Sequence, residues 1–173
     1  LLTVRSGKRI VFKSPPHTAR VKTLLEIFPD AQFVHIVRNP YKLYSSTMRT
    51  WKSLRDVHGL QVAKNDDLEE FIFESFVRMY QAFDEDRELI DPGNFYEMRY
   101  EDLVESPIDR MRSVYEHLQL GDFDRVEDKL QDYFSEANGY RAASYNLPAE
   151  LQDRIADRWG EYIERFGYAV PAT

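Results

Sequence analysis

The chain has 173 residues, 43% of them hydrophobic and 31% charged, with a net charge of −7 and no cysteine. That is one globular domain with chain enough for a core, and it excludes disulfides, thiolate metal sites and a cysteine nucleophile. No apolar run approaches membrane-spanning length, no secretory leader is recognisable, and the acidic balance opposes bulk binding to nucleic acid, so a cytoplasmic protein without a membrane span is expected.

Charge is spread unevenly. Residues 1–55 carry eleven Lys/Arg and two acids, Glu26 and Asp30, whereas residues 56–173 carry twelve Lys/Arg and twenty-eight acids. A basic first third points either to a localised anion site or to two solvated faces. Residues 5–8, RSGK, read as a turn. They are not a phosphate loop, because an apolar strand, IVF at 10–12, follows within two residues and no G-x-x-x-x-G-K-[ST] pattern exists. Lys13-Ser14-Pro15-Pro16-His17 ends that strand. Pro16 biases Pro15 away from helix, so a helix should begin near His17 or Thr18 and bury Val21, Leu24, Leu25 and Phe28.

Residues 33–37 follow as the central strand, apolar and β-branched enough to be covered on both faces. With 10–12 this makes a βαβ unit. Asn39 then serves as N-cap and Pro40 as first helical residue of a helix reaching Leu54. A polar loop at 56–65 precedes a long helix over 67–89, its core stripe made of Leu68, Phe71, Ile72, Phe76, Met79, Tyr80 and Phe83. A turn at 91–93, a strand at 95–100 and helices from Pro107 to Leu118 and over 123–134 come next. The loop 138–146 carries Tyr140, Arg141 and Tyr145. Pro148 opens one last helix with Leu151, Ile155, Trp159, Ile163 and Phe166 inward and Gly167 as its C-cap. The alternation of strands and helices predicts a three-layer α/β/α domain around a central parallel sheet over 1–173.

Three groups fall at carboxyl ends of predicted strands: Lys13 with His17, Arg38 with Ser46, and Tyr100. Ligands of open α/β sheets bind at that edge. Arg38 stands where a strand enters a helix, beside backbone N–H groups expected to be free and a positive dipole end, which suits a phosphate. Ser46 follows by eight residues and its hydroxyl can reach the same anion. The competing reading is a salt bridge for Arg38 and an ordinary helix position for Ser46. His35, inside the strand, reads as a satisfied core residue, and His58 and His117 as loop and helix-surface residues.

The chain resembles the sulfotransferases that use 3′-phosphoadenosine 5′-phosphosulfate (PAPS), in the bacterial-type branch. The resemblance rests on Lys13-Ser14-Pro15-Pro16-His17, Phe28-Pro29-Asp30-Ala31, and Arg38-Asn39-Pro40 with Ser46 eight residues after the arginine. Tyr100-Glu101-Asp102-Leu103 with Pro107, and the closing run from Tyr145 to Tyr168, extend it over nearly the whole chain. It implies a P-loop-NTPase-like fold and transfer of a sulfuryl group from PAPS to an acceptor hydroxyl or amine, with no metal required. It assigns Arg38 and Ser46 to the 3′-phosphate, Lys13 to the bridging oxygen, His17 to the acceptor proton, Tyr100 to adenine and Arg141 to closure over the 3′-phosphate. Some branches place the base histidine two residues after the lysine, where Pro15 stands here. The acceptor is expected to be a small molecule, glycan or lipid, and the acidic surface disfavours a polyanionic one.

The family's opening strand and G-x-P-R-S-G-T loop, which cradles the 5′-phosphosulfate, find no match before Ile10. The sequence therefore reads as an N-terminally truncated version of the fold, expected not to catalyse transfer by itself. Two other functions compete: a P-loop-class nucleotide kinase, and a non-catalytic nucleotide-binding or scaffold domain.

Overall fold

A computed structural model describes residues 7–59, 67–137 and 147–169. After a 3-10 turn at Pro15–Ala19 comes a short helix α1, Val21–Ile27. The central strand β1 forms at Phe33–Val37, and Phe95–Arg99 (β2) pairs with it in parallel, Phe33 opposite Phe95 and Val37 opposite Arg99. A parallel pair needs a long crossover. Helices α2, Pro40–His58, and α3, Leu68–Asp86, supply it. The chain then runs through α4 (Tyr100–Glu105), α5 (Pro107–His117), α6 (Asp124–Ala137), α7 (Ala149–Arg158) and α8 (Gly160–Arg165). The result is a mainly helical α/β fold on a parallel sheet.

Two expectations fail at the start of the chain. Residues 10–12 are not a strand, so the first βαβ unit does not form and the sheet of the described residues has two strands. Val11 is 89% and Phe12 62% exposed, and the Phe12 ring stacks on Phe28 at 6.0 Å. A strand needs a neighbour to take its backbone N–H and C=O groups. None lies beside this run among the described residues. The helix after it is also shorter than expected, because Pro15-Pro16 sets a 3-10 turn and α1 starts only after Arg20, at φ −133°.

Among the described residues the central strand is covered on one face only. His35 and Val37 are buried, while Val34 and Ile36 are 43% and 45% exposed. Over the buried face lies the main core, in which Tyr44, Phe73, Phe76 and Trp159 interlock. Phe76 and Trp159 approach to 4.0 Å between centroids, and Tyr44 and Phe73 to 5.1 Å. Arg158 pairs with Glu70, Arg154 with Glu69 and Arg165 with Asp84, tying the two C-terminal helices to α3.

Those two helices replace the single one expected from the apolar spacing. The break is at Trp159, φ −116° and ψ 23°, whose indole N–H points at the Phe73 carbonyl from 3.4 Å. Wedging a buried indole there re-aims the chain so that Tyr162 and Ile163 also face the core. Gly167 is the expected cap. At φ +63° it donates to Glu164 O, and Tyr168 N–H donates to Ile163 O, closing a Schellman motif. That turn carries Tyr168 into the buried end of the sheet.

Candidate functional site

The Arg38–Asn39 turn is built from both local and distant parts. Locally, Asn39 Oδ1 accepts from the N–H groups of Tyr41 and Lys42, each at 3.1 Å, and Pro40 brings no N–H. Leu43 N–H reaches Asn39 O at 2.9 Å, and Asn39 N–H donates to Glu101 Oε1 at 2.9 Å. The backbone donors expected to be free at this helix start are thus already engaged. An anion here meets the helix dipole and the side chains, not bare amides.

Arg38 is half-buried, its guanidinium 4.4 Å from the centroid of the Tyr100 ring. Tyr100 opens α4 directly after β2, so parallel register places it under the arginine. The predicted adenine contact is thereby occupied, on one face of the ring, by a cation–π partner. Arg38 Nε is buried with no hydrogen-bond partner among the described residues, so this side chain keeps donor capacity for an anion. Ser46 lies half-buried two turns along α2, where its carbonyl accepts from Thr50 Oγ1 at 2.9 Å.

Lys13 is exposed just ahead of the 3-10 turn. His17 sits inside that turn, its N–H donating to Ser14 O and its carbonyl accepting from Arg20 N–H, both at 3.0 Å. Its ring Nδ1 is buried and unpartnered among the described residues. Arg141 lies outside the described residues. A cavity of about 360 Å³ is lined by Pro15 and Thr18 of the 3-10 turn together with Arg38, Trp51, Phe71 and Tyr162, whereas Lys13, His17, Ser46 and Tyr100 are not part of its lining. Lys13 and His17 flank that wall in sequence, while Arg38 lines the cavity itself.

Sequence reasoning missed the support beneath the turn. Tyr162, from α8, accepts from Arg38 N–H and donates to Arg38 O, both at 2.9 Å. Tyr168 donates to Glu101 Oε2 at 3.0 Å. Its ring lies 4.3 Å under the Arg99 guanidinium. Burial pushes the hydroxyls of Tyr162 and Tyr168 above their ordinary pKa. Deeper in the sheet, His35 Nδ1 donates to Glu97 Oε2 at 2.9 Å across the strand pair, and Nε2 lies 3.2 Å from the Tyr80 hydroxyl. Burial alone would raise the Glu97 carboxyl, but the His35 hydrogen bond and charge, with Arg87 and Arg165, outweigh it and hold it below the ordinary range. The one signal in the sequence was the closing Phe166-Gly167-Tyr168; nothing local marks Tyr162 or Glu97.

A strand-end arginine stacked beside a capped helix stands at the carboxyl edge of the parallel strand pair, the edge at which open α/β sheets bind their ligands. Comparison with known proteins identifies the family. The sulfotransferase family model matches residues 1–125, and the chain belongs to that family. It is 43% identical over 164 residues to omega-hydroxy-beta-dihydromenaquinone-9 sulfotransferase Stf3 of Mycobacterium bovis (strain ATCC BAA-935 / AF2122/97). The same figures hold for Stf3 of Mycobacterium tuberculosis (strain CDC 1551 / Oshkosh). The match covers 95% of this chain and 42% of each relative, so the chain spans about two-fifths of their length. The crystal structure of sulfotransferase STF9 from Mycobacterium avium superposes with a TM-score of 0.74 at 22% identity, over 94% of this chain and 43% of that one. That of STF1 from Mycobacterium tuberculosis H37Rv gives 0.61 at 24%, over 89% and 40%. At such identities the likeness is one of fold. No helix among the described residues is long and apolar enough to cross a membrane.

Proposed function

We propose that the protein transfers a sulfuryl group from PAPS to an acceptor hydroxyl or amine, and that Arg38 and Ser46 hold the donor's 3′-phosphate. The observation that carries this reading is Arg38 itself, braced at the carboxyl end of β1, stacked on Tyr100 and left with an unpaired buried Nε. A planar guanidinium suits a phosphate through two parallel hydrogen bonds. In the reaction the acceptor oxygen or nitrogen bonds to sulfur as the bond from sulfur to the 5′-phosphate oxygen breaks. The acceptor proton passes to His17, and Lys13 meets the charge growing on the leaving oxygen. The orphaned Nδ1 of His17 fits a ring held for such contact. Arg141 belongs to the same reading as an outer contact to the 3′-phosphate.

The acceptor we favour is an apolar alcohol. Trp51, Phe71 and Met79 wall the cavity that Arg38 also lines. The Stf3 relatives are named for a hydroxylated menaquinone. The kinase and scaffold alternatives are not favoured by any contact in the site.

The test compares two ligands in the natural full-length protein. Arg38→Ala should weaken adenosine 3′,5′-bisphosphate by about 1.5–3 kcal/mol and Ser46→Ala by roughly 1 kcal/mol. Affinity for 5′-AMP, which lacks the 3′-phosphate, should hardly move. Equal losses for both ligands would remove the assignment.

A further inference from the structure

Resting on that assignment of Arg38, we infer that Tyr162 is a positioning residue for the 3′-phosphate arginine. A second strut reaches Asn39 through Tyr168 and Glu101. Arg38 lies one residue past β1, beyond the last paired position, Val37 opposite Arg99. The sheet ladder therefore stops short of it. Tyr162 takes over there. One hydroxyl both accepts from the Arg38 N–H and donates to the Arg38 carbonyl, at 2.9 Å each way, from a helix 124 positions later. A phenol offers one donor and lone-pair acceptor capacity, so this contact spends the donor and an acceptor site on a single residue. Gripping both backbone groups of one residue restrains the two torsions that aim its side chain.

The second strut is independent of the first. Glu101 bridges Asn39 N–H, at 2.9 Å, to the Tyr168 hydroxyl, at 3.0 Å. The two tyrosine rings stack within 11° of parallel at 6.0 Å, held in place by the C-terminal glycine cap. Tyr162 and Tyr168 thus set both residues of the turn through the backbone, the first at the Arg38 N–H and carbonyl and the second, by way of Glu101, at the Asn39 N–H. Packing alone does not need the hydroxyls: the Tyr162 ring is already buried against Phe76 at 5.0 Å and Phe166 at 4.7 Å.

Tyr162→Phe keeps the ring and removes the grip. In the full-length protein, calorimetric titration with adenosine 3′,5′-bisphosphate and with 5′-AMP is compared for wild type, Tyr162→Phe, Arg38→Ala and the double variant. Tyr162→Phe should weaken the bisphosphate about 3–10-fold and 5′-AMP less than about 2-fold. In the Arg38→Ala background it should have no further effect on the bisphosphate, because there is no guanidinium left to aim. A loss shared by both ligands, or one that adds fully to Arg38→Ala, would show that Tyr162 serves packing alone. Should Arg38→Ala weaken the bisphosphate and Tyr162→Phe not, this inference falls and the 3′-phosphate assignment stands. If Arg38→Ala itself changes nothing, the assignment falls and takes the inference with it. Tyr168→Phe, which loosens the Asn39 strut and the contact to Arg99, should give the same ligand-selective pattern at about 2–5-fold, and Tyr162→Leu, which also removes the hydroxyl, replaces Tyr162→Phe in the comparison if that variant does not fold.

Discussion

Arg38 and Lys13 both stand just ahead of a helical turn, but the chain holds them by different means. Arg38 follows a strand paired along its length with β2, and distant side chains grip its backbone. Lys13 follows three apolar residues that found no partner strand among the described residues, with Val11 89% exposed. Local hydrogen bonds, His17 N–H to Ser14 O and Arg20 N–H to His17 O, shape the turn that follows. An apolar run ending in a cation is therefore not by itself a positioned strand end. Position comes from neighbours that satisfy the backbone.

The largest expected effect lies on the loosely held side. If His17 takes the acceptor proton, His17→Ala in the full-length protein should lower turnover about 10²–10⁴-fold while leaving nucleotide affinity unchanged. Steady-state rates beside bisphosphate binding decide this, and an unaltered rate would move the role of base away from His17.

On the braced side, packing matters most. Trp159 is buried between Phe73 and Phe76 at the joint that aims Tyr162. Trp159→Ala should destabilise by about 3–5 kcal/mol in urea unfolding. A loss below about 1 kcal/mol would mean that the C-terminal helices do not brace the turn as described.

A smaller, pH-dependent effect belongs to the strand pair beneath. The folded-state pKa of Glu97 lies below its unfolded value, so its contribution is present above the ordinary carboxylate range and is lost as pH falls through the folded value. Glu97→Gln should therefore cost about 1–3 kcal/mol at neutral pH. The gap to wild type should narrow below pH of about 4. A gap that stays constant on acidification would show that the carboxylate charge plays no part in joining β1 to β2.

Much of this molecule is written in short-range spacing. The Asn39-Pro40 helix start, the Gly167 cap, β1, β2 and the long helix from Leu68 were all legible, because caps and periodic faces involve residues three or four positions apart. The Lys13–His17, Phe28–Ala31 and Arg38-Asn39-Pro40 motifs, with Ser46, together suggested the sulfotransferase family, which the comparisons then established. Tertiary structure alone decided what those local signals could not contain. It engaged the Asn39 N–H through Glu101, laid Tyr100 beneath Arg38, and withheld a partner strand, among the described residues, from residues 10–12. It also brought Tyr162 back to the Arg38 backbone across 124 positions and set His35 opposite Glu97. The reason is physical: a cap is completed within one turn of chain, whereas a strand edge or a buried hydroxyl is satisfied only by whatever the folded topology places against it.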